Sequence, residues 1–287
     1  MRQFHPFSLN IDGQLKIFNR PLVMGILNVT PDSFFAKSRC GNDESAIRKR
    51  IREIVAEGAD IIDIGGYSSR PGADDVSPDE EFDRLSLGLR IATEETPCSI
   101  ISIDTFRSEV AERCIEKFGA LIVNDISAGT LDANMIPTVA QLHVPYIMMH
   151  MKGNPQTMGA LTQYDNLVAE ILQFLGQKAD EAAQAGIADI IIDPGFGFGK
   201  TVEQNYVLLE NLDLFHILNR PVLAGLSRKS MIYKLLATDP DHALNGTTAA
   251  HMIALMQGAA ILRVHDVRQA VETVKIYDTT ILQAKNI

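Results

Sequence analysis

Eight times along this chain a short apolar run ends in a polar residue, and between the runs apolar residues recur at helical spacing. The runs are 22–27 before Asn28, 61–64 before Ser69 and Arg70, 100–103 before Asp104, and 120–123 before Asn124. Then 146–149 precedes His150, 189–192 precedes Asp193, 222–224 precedes Ser227 to Lys229, and 261–262 precedes Arg263 and His265. Short, Ile-rich, almost unbroken apolar runs are the mark of parallel strands covered on both faces. The intervening segments predict helices over 45–57, 80–94, 108–118, 133–142, 166–185, 202–211, 229–236, 245–257 and 266–282. Alternating strands and helices build either an open doubly wound sheet or a closed barrel. An open sheet gathers its ligand at one switch point, whereas here a chemically useful residue follows every strand. The pattern predicts an α/β protein, a (β/α)8 barrel filling residues 1–287 as a single domain. Its strand ends would bring Asn28 and His265 into one pocket.

Local signals refine this picture. Ile11-Asp12-Gly13-Gln14 predicts the turn of a short N-terminal β-hairpin, placed as a plug at the N-terminal end of the barrel. Gly58, Gly119 and Gly186 stand where helices stop in the left-handed conformation, and Ser77-Pro78 and Thr201 where helices are capped. Hydrophobic residues at 46% suffice for one large core. A net charge of −10 argues against nucleic acid or an anionic membrane surface as a partner, but not against a small anion held by a local cluster of cations. Cys40, Cys98 and Cys114 form no CxxC pair, which leaves disulfide framework and zinc ribbon unsupported. No signal-like segment opens the chain, and no run approaches the ~20 apolar residues of a membrane span, so a cytoplasmic protein is expected. The glycosylation sequons at Asn28 and Asn245 then read as coincidence.

Two motifs mislead. Gly195-Phe-Gly-Phe-Gly-Lys200-Thr201 lacks the first glycine of a P-loop, which here is Pro194, and its G-x-G-x-G spacing misses the dinucleotide fingerprint. It reads better as a wide glycine loop that lets a flat ligand approach the backbone, with Phe196 and Phe198 as walls. His150 has no neighbouring ligand at metal spacing and reads as a structural histidine.

The remaining polar strand ends form two sets. Asp104, Asn124 and Asp193 would place two carboxylates and an amide in the barrel mouth. A planar heterocycle with a guanidine-like edge would satisfy them, with Lys229 donating to a ring oxygen and Arg263 stacked on the ring. Asn28, Ser69, Arg70, Arg263 and His265, with the helix start at Ser227-Arg228-Lys229, suit a phosphorylated group nearer the rim. Asn28 offers one neutral oxygen, too little for a metal alone. It holds Mg2+ only if a pyrophosphate supplies further ligands.

At this point the blocks themselves are informative. Asn28-Val-Thr-Pro-Asp-Ser-Phe34, Asp63-Ile-Gly-Gly-Tyr-Ser-Ser-Arg-Pro-Gly-Ala73 and Asp193-Pro-Gly-Phe-Gly-Phe-Gly-Lys200 resemble the signatures of the dihydropteroate synthase family, pterin-binding TIM barrels. Ser102-Ile-Asp-Thr105, Asn124-Asp125, Met148-Met-His-Met151, Gly225-Leu-Ser-Arg-Lys-Ser-Met231 and Arg263-Val-His-Asp266 agree, in the expected order. The resemblance implies a folate-pathway transferase. It would condense p-aminobenzoate with 6-hydroxymethyl-7,8-dihydropterin pyrophosphate, giving dihydropteroate and pyrophosphate by loss of Mg-pyrophosphate and attack of the arylamine. By similarity Asp104, Asn124, Met148, Asp193, Lys229 and Arg263 hold the pterin. Asn28, Ser69, Arg70, Arg263 and His265 hold the pyrophosphate, with Asn28 on Mg2+. Ser69, Arg70, Pro71, Phe198, Ser227 and Lys229 surround the aminobenzoate. Asp104, Asp193, Lys229, Arg263 and His265 carry the catalysis.

The resemblance further implies a homodimer, with Met252, Ile253 and Met256 contributing apolar surface, and a sulfonamide target. This chain departs from the family pattern at 35–41, at Tyr67 where Glu or Gln is usual, and at Ser69 where Thr is usual. Two other functions share part of the logic: a pterin-dependent methyltransferase and a non-catalytic pterin-binding paralogue. The first has no need of the cationic rim. The second is supported only by the altered loop.

Overall fold

The computed structural model describes residues 4–30, 43–68, 76–97, 99–119 and 121–284, with side chains to 281. The atypical loop at 35–41, with Ser69, Arg70 and Pro71, lies outside them. The first two strands, β1 (Phe7–Ile11) and β2 (Gln14–Phe18), pair antiparallel around Asp12 and Gly13. Both turn residues have positive φ, 53° and 72°, as a tight Asp-Gly hairpin turn demands. Leu9 is buried in the main core, and the Asn10 N–H donates to the Asp189 carboxylate at 2.9 Å, just ahead of a barrel strand. The hairpin thus sits at the N-terminal end of the barrel, as expected.

Eight parallel strands follow: β3 (Leu22–Asn28), β4 (Ile61–Gly65), β5 (Ile100–Asp104), β6 (Ile122–Asp125), β7 (Tyr146–Met149), β8 (Ile190–Asp193), β9 (Leu223–Ala224) and β10 (Ile261–Val264). They are ordered β8-β7-β6-β5-β4-β3-β10-β9. One parallel bridge, Ile192 to Val222, joins the two ends of this ladder and closes the barrel. Between and after the strands run α1 (Glu44–Ala56), α2 (Pro78–Glu95), α3 (Ser108–Phe118), α4 (Met135–Leu142), α5 (Leu167–Ala185), α6 (Val202–Glu210), α7 (Ser230–Leu235), α8 (Leu244–Met256) and α9 (Val267–Ala284). No helix among the described residues is long and apolar enough to cross a membrane.

The helix ends follow their chemistry. Pro78 starts α2 behind the Ser77 cap, and Thr201 and Gln204 form a reciprocal capping box on α6. Gly186 ends α5 in the left-handed conformation, whereas Gly119 ends α3 with φ 87° and ψ −160°, outside that region. The start of α4 comes two residues later than the spacing predicts. Asp132 accepts the N–H groups of Ser108 (2.7 Å) and Asn134 (2.9 Å), which holds 132–134 in a turn.

Strand register decides which side chains reach the site. Side chains alternate between barrel interior and helix layer, and residues paired in parallel strands point the same way. The pairs Ile26–Asp63, Asp63–Ser102, Gly65–Asp104, Asp104–Asn124, Asn124–Ile147, Met149–Asp193 and Met24–Arg263 trace one continuous inner face. A second, small apolar cluster of Ile126, Met149, Met151 and Met158, with Phe106, Leu131 and Phe198, covers the C-terminal mouth.

Candidate active site

The deepest feature is a pair of carboxylates sharing one guanidinium. Asp63, fully buried on β4, accepts Arg263 Nε at 2.6 Å. Asp104, at the end of β5, accepts Arg263 Nη2 at 2.6 Å. The Asn124 amide adds longer contacts to both Asp63 oxygens, at 3.3 and 3.4 Å. Burial pushes Asp104 up to about 7, and the charge of Asp63 reinforces this against the pull of Arg263. Burial works against the Arg263 cation, but Asp63 and Asp104 together raise its pKa. Asp63 is a site residue that sequence reasoning missed. Its signal was a carboxylate inside the run Ile61-Ile62-Asp63-Ile64, a charge that a buried strand tolerates only with a partner.

Across the barrel, Asp193 ends β8 almost fully buried, and the Gly195 N–H donates to its Oδ1 at 2.7 Å. Burial raises its pKa, while Lys229 opposes the shift. Lys229 is drawn down to about 8 by the same desolvation, against the charge of Asp193. Both face Gly225: a Cβ there would lie 3.7 Å from Lys229 Nζ and 3.9 Å from Asp193 Oδ2. Lys229 Nζ also donates to the Phe196 carbonyl and sits 4.7 Å from the centre of the Phe198 ring.

The glycine loop is braced from behind. Lys200, nearly buried, donates to the carbonyls of Gly195 (2.7 Å) and Phe198 (2.9 Å), and its Nζ lies 3.2 Å from His150 Nδ1. His150 is therefore structural, as expected. Only one of the two expected walls stands, because Phe196 is fully buried in the main core and leaves Phe198 at the rim.

Met148 requires a second correction. It pairs with Asp125, whose Oδ2 accepts the hydroxyl of Tyr146 in the helix layer, so Met148 turns away from the barrel interior and is fully buried. Met149, paired with Asp193, faces inward and joins the cluster at the mouth. The signal was available in the alternation along β7, where a shift by one residue reverses the face.

At the last two strands, Ser227 Oγ accepts the backbone N–H of His265 at 3.1 Å and lies 3.1 Å from its Nδ1. The sequence placed His265 among the cations. Burial, reinforced by the adjacent Arg263, pushes it down to about 3, so it presents a neutral imidazole at neutral pH. Helix α7 begins only at Ser230, so Ser227 to Lys229 form the loop before it. Asn28 ends β3 with Oδ1 beside Gly65; a Cβ there would meet Asn28 Oδ1 at 3.4 Å and Asp104 Oδ2 at 3.8 Å. Among the described residues no three His, Cys, Asp or Glu side chains gather as a metal site.

This geometry has close counterparts. A model of pterin binding enzymes matches residues 24–265. The dihydropteroate synthase of Escherichia coli (strain K12) is 42% identical over 272 residues, 93% of this chain and 94% of that one. The structure of Yersinia pestis dihydropteroate synthase with a sulfonamide drug superposes with a TM-score of 0.90 at 38% identity, covering 96% of this chain and 100% of that one. A Coxiella burnetii dihydropteroate synthase in complex with pteroic acid gives a TM-score of 0.85 at 36% identity, covering 96% and 98%. Family model, relatives and fold agree over nearly the whole length: the chain belongs to the pterin-binding enzymes and, among them, to the dihydropteroate synthases.

Proposed function

We propose that this transferase joins p-aminobenzoate to 6-hydroxymethyl-7,8-dihydropterin pyrophosphate at the inner face just described. The observation that carries the assignment is Asp193 buried opposite Lys229 across Gly225, an acceptor and a donor spaced by a residue without a side chain. A pterin offers that pair a guanidine-like N–H edge and a ring oxygen, and Asn124 and Asp104 flank the same face. Pteroic acid, held by the Coxiella relative, joins a pterin to an aminobenzoate through one methylene, the bond this reaction makes. Ser69, Arg70 and Pro71 are assigned to the surroundings of the aminobenzoate, and Ser69 and Arg70 also to the pyrophosphate, by similarity.

The chemistry asks for charge stabilisation rather than a strong base. The C–O bond to pyrophosphate breaks and its electron pair leaves with the phosphate oxygens. Asp193 and Asp104 stabilise the positive charge left on the methylene and spread into the pterin. The arylamine nitrogen then forms the C–N bond, and its proton passes to pyrophosphate or water. His265 and Ser227, held against each other, are assigned to the departing side, and Arg263, between Asp63 and Asp104, adds its positive charge from the inner face. Asn28 Oδ1 would hold Mg2+, a hard ion suited to this neutral oxygen once phosphate oxygens complete its shell, and Mg2+ supplies charge neutralisation of the leaving group. The half-buried Met252 and Met256 and the exposed Ile253 give α8 an apolar outer face, which supports a homodimer. A cytoplasmic location and sulfonamide sensitivity accord with the same family reading.

The test mixes purified protein with both substrates and Mg2+ and follows pyrophosphate and dihydropteroate together. Equimolar appearance of both, lost in excess chelator, is expected. Pterin binding with no release of either product would replace this reading with a non-catalytic pterin-binding paralogue.

A further inference from the structure

Arg228 stands between two proposed substrate contacts, Ser227 and Lys229, yet its own side chain points away from the mouth. It is 8% exposed and holds φ at +55°, a left-handed conformation that a long side chain rarely adopts. Four of its side-chain N–H groups are committed. Nε and Nη2 form a two-pronged pair with Asp266 at 2.8 Å each, and Nη1 donates to the carbonyls of Pro240 (2.5 Å) and Asp241 (2.8 Å). Its backbone N–H donates to Thr247 Oγ1 on α8 at 3.1 Å. The partner carboxylate follows His265 directly. Ser227–His265 and Arg228–Asp266 are therefore consecutive cross-links between the loops after β9 and β10, one facing the mouth and the next facing the helix layer.

We infer that Arg228 and Asp266 act as one positioning unit, fixing Ser227 and Lys229 in register with Arg263 and His265. The inference rests on the reading of the site given above. The backbone supports it, because φ +55° is an unfavourable conformation for a long side chain, and the four side-chain hydrogen bonds of Arg228 hold it there. A two-pronged arginine pair fixes direction as well as distance, which a lysine or a neutral amide does not.

The experiment compares Arg228→Gln, Arg228→Lys, Asp266→Asn and the Arg228→Gln/Asp266→Asn double variant. Asp266→Glu serves as the conservative control, since it keeps the charge. Steady-state pyrophosphate release gives kcat and KM for each substrate, and acetic anhydride labelling of Lys229 reads its environment without turnover. Arg228→Gln and Asp266→Asn are each expected to raise KM for both substrates about tenfold, in line with the sensitivity of such sites to small misplacement. The double variant should be no worse than about twofold beyond the poorer single one, as members of one unit are not additive. Labelling of Lys229 should change in each variant and recover in Asp266→Glu.

Folded variants with unchanged KM and unchanged labelling would overturn the inference. So would a loss confined to thermal stability, or effects that simply multiply. If the wild type releases no pyrophosphate, the functional reading fails, and the labelling comparison still decides whether the clamp positions Lys229.

Discussion

Asp193 is nearly buried, has one oxygen taken by the Gly195 N–H, and leaves the other toward Gly225. Replacing it with Asn keeps the shape and removes the charge proposed to pair with a pterin edge. Asp193→Asn is expected to lower turnover by about two orders of magnitude or more, with the fold intact by circular dichroism; near-normal turnover would remove the pterin from this position. Protonation offers a second check. Burial holds His265 and His150 at about 3 and His251 at about 4, against 6.5 for a free imidazole. These groups stay neutral in the folded protein while the unfolded chain takes up protons below 6.5. Their contribution to stability therefore shrinks as pH falls from 6.5 toward 3–4, while Asp104, raised to about 7, acts in the opposite sense between 3.8 and 7. Nitrogen-detected NMR at pH 5.5 should show these three as neutral imidazoles, and an imidazolium signal from His265 would refute its burial. Most inner-face residues were legible because they end strands. Asp63 was not, because it sits inside one, and Met148 was chosen over Met149 because adjacent methionines differ only in the face they take.

The elements owe their legibility to period and punctuation. Apolar residues at helical spacing, Pro78, Thr201 and Gly186 located helices to within a residue or two, since each signal acts through its own backbone. Contacts made over distance shifted the rest, as with the turn at Asp132 that delays α4. The glycine loop after β8 shows how tightly an element can be specified. A Cβ on Gly195, where φ is +75°, would fall 2.0 Å from the His150 carbonyl oxygen. Gly195→Ala must move either that loop or the end of β7, and with them Asp193, Phe198 and the Lys200 brace. It is expected to reduce kcat/KM by at least about tenfold. Steady-state kinetics on the folded variant checks this, and unchanged kinetics would show that the loop yields without cost.

At the scale of the molecule, the barrel separates stability from chemistry along its axis. Leu9 in the hairpin is 1% exposed and packs at the end opposite the site. Leu9→Ala should cost about 2–5 kcal/mol in urea unfolding while leaving kcat/KM within about twofold at 25 °C; loss of activity in the folded variant would show that the two ends are coupled. The strand ladder is not uniform around the ring. Strand β9 has two residues, two register pairs with β10 and a single bridge to β8. Amide exchange should be faster at Ile192, which donates to Pro221, than at Ile101 within the β4–β5 ladder. A ring stitched at one place by a single thread is expected to give there first. The two sides of that seam carry the carboxylate of Asp193 and, a few residues on, the amine of Lys229, so the proposed grip on the heterocycle lies where the ring is most thinly sewn.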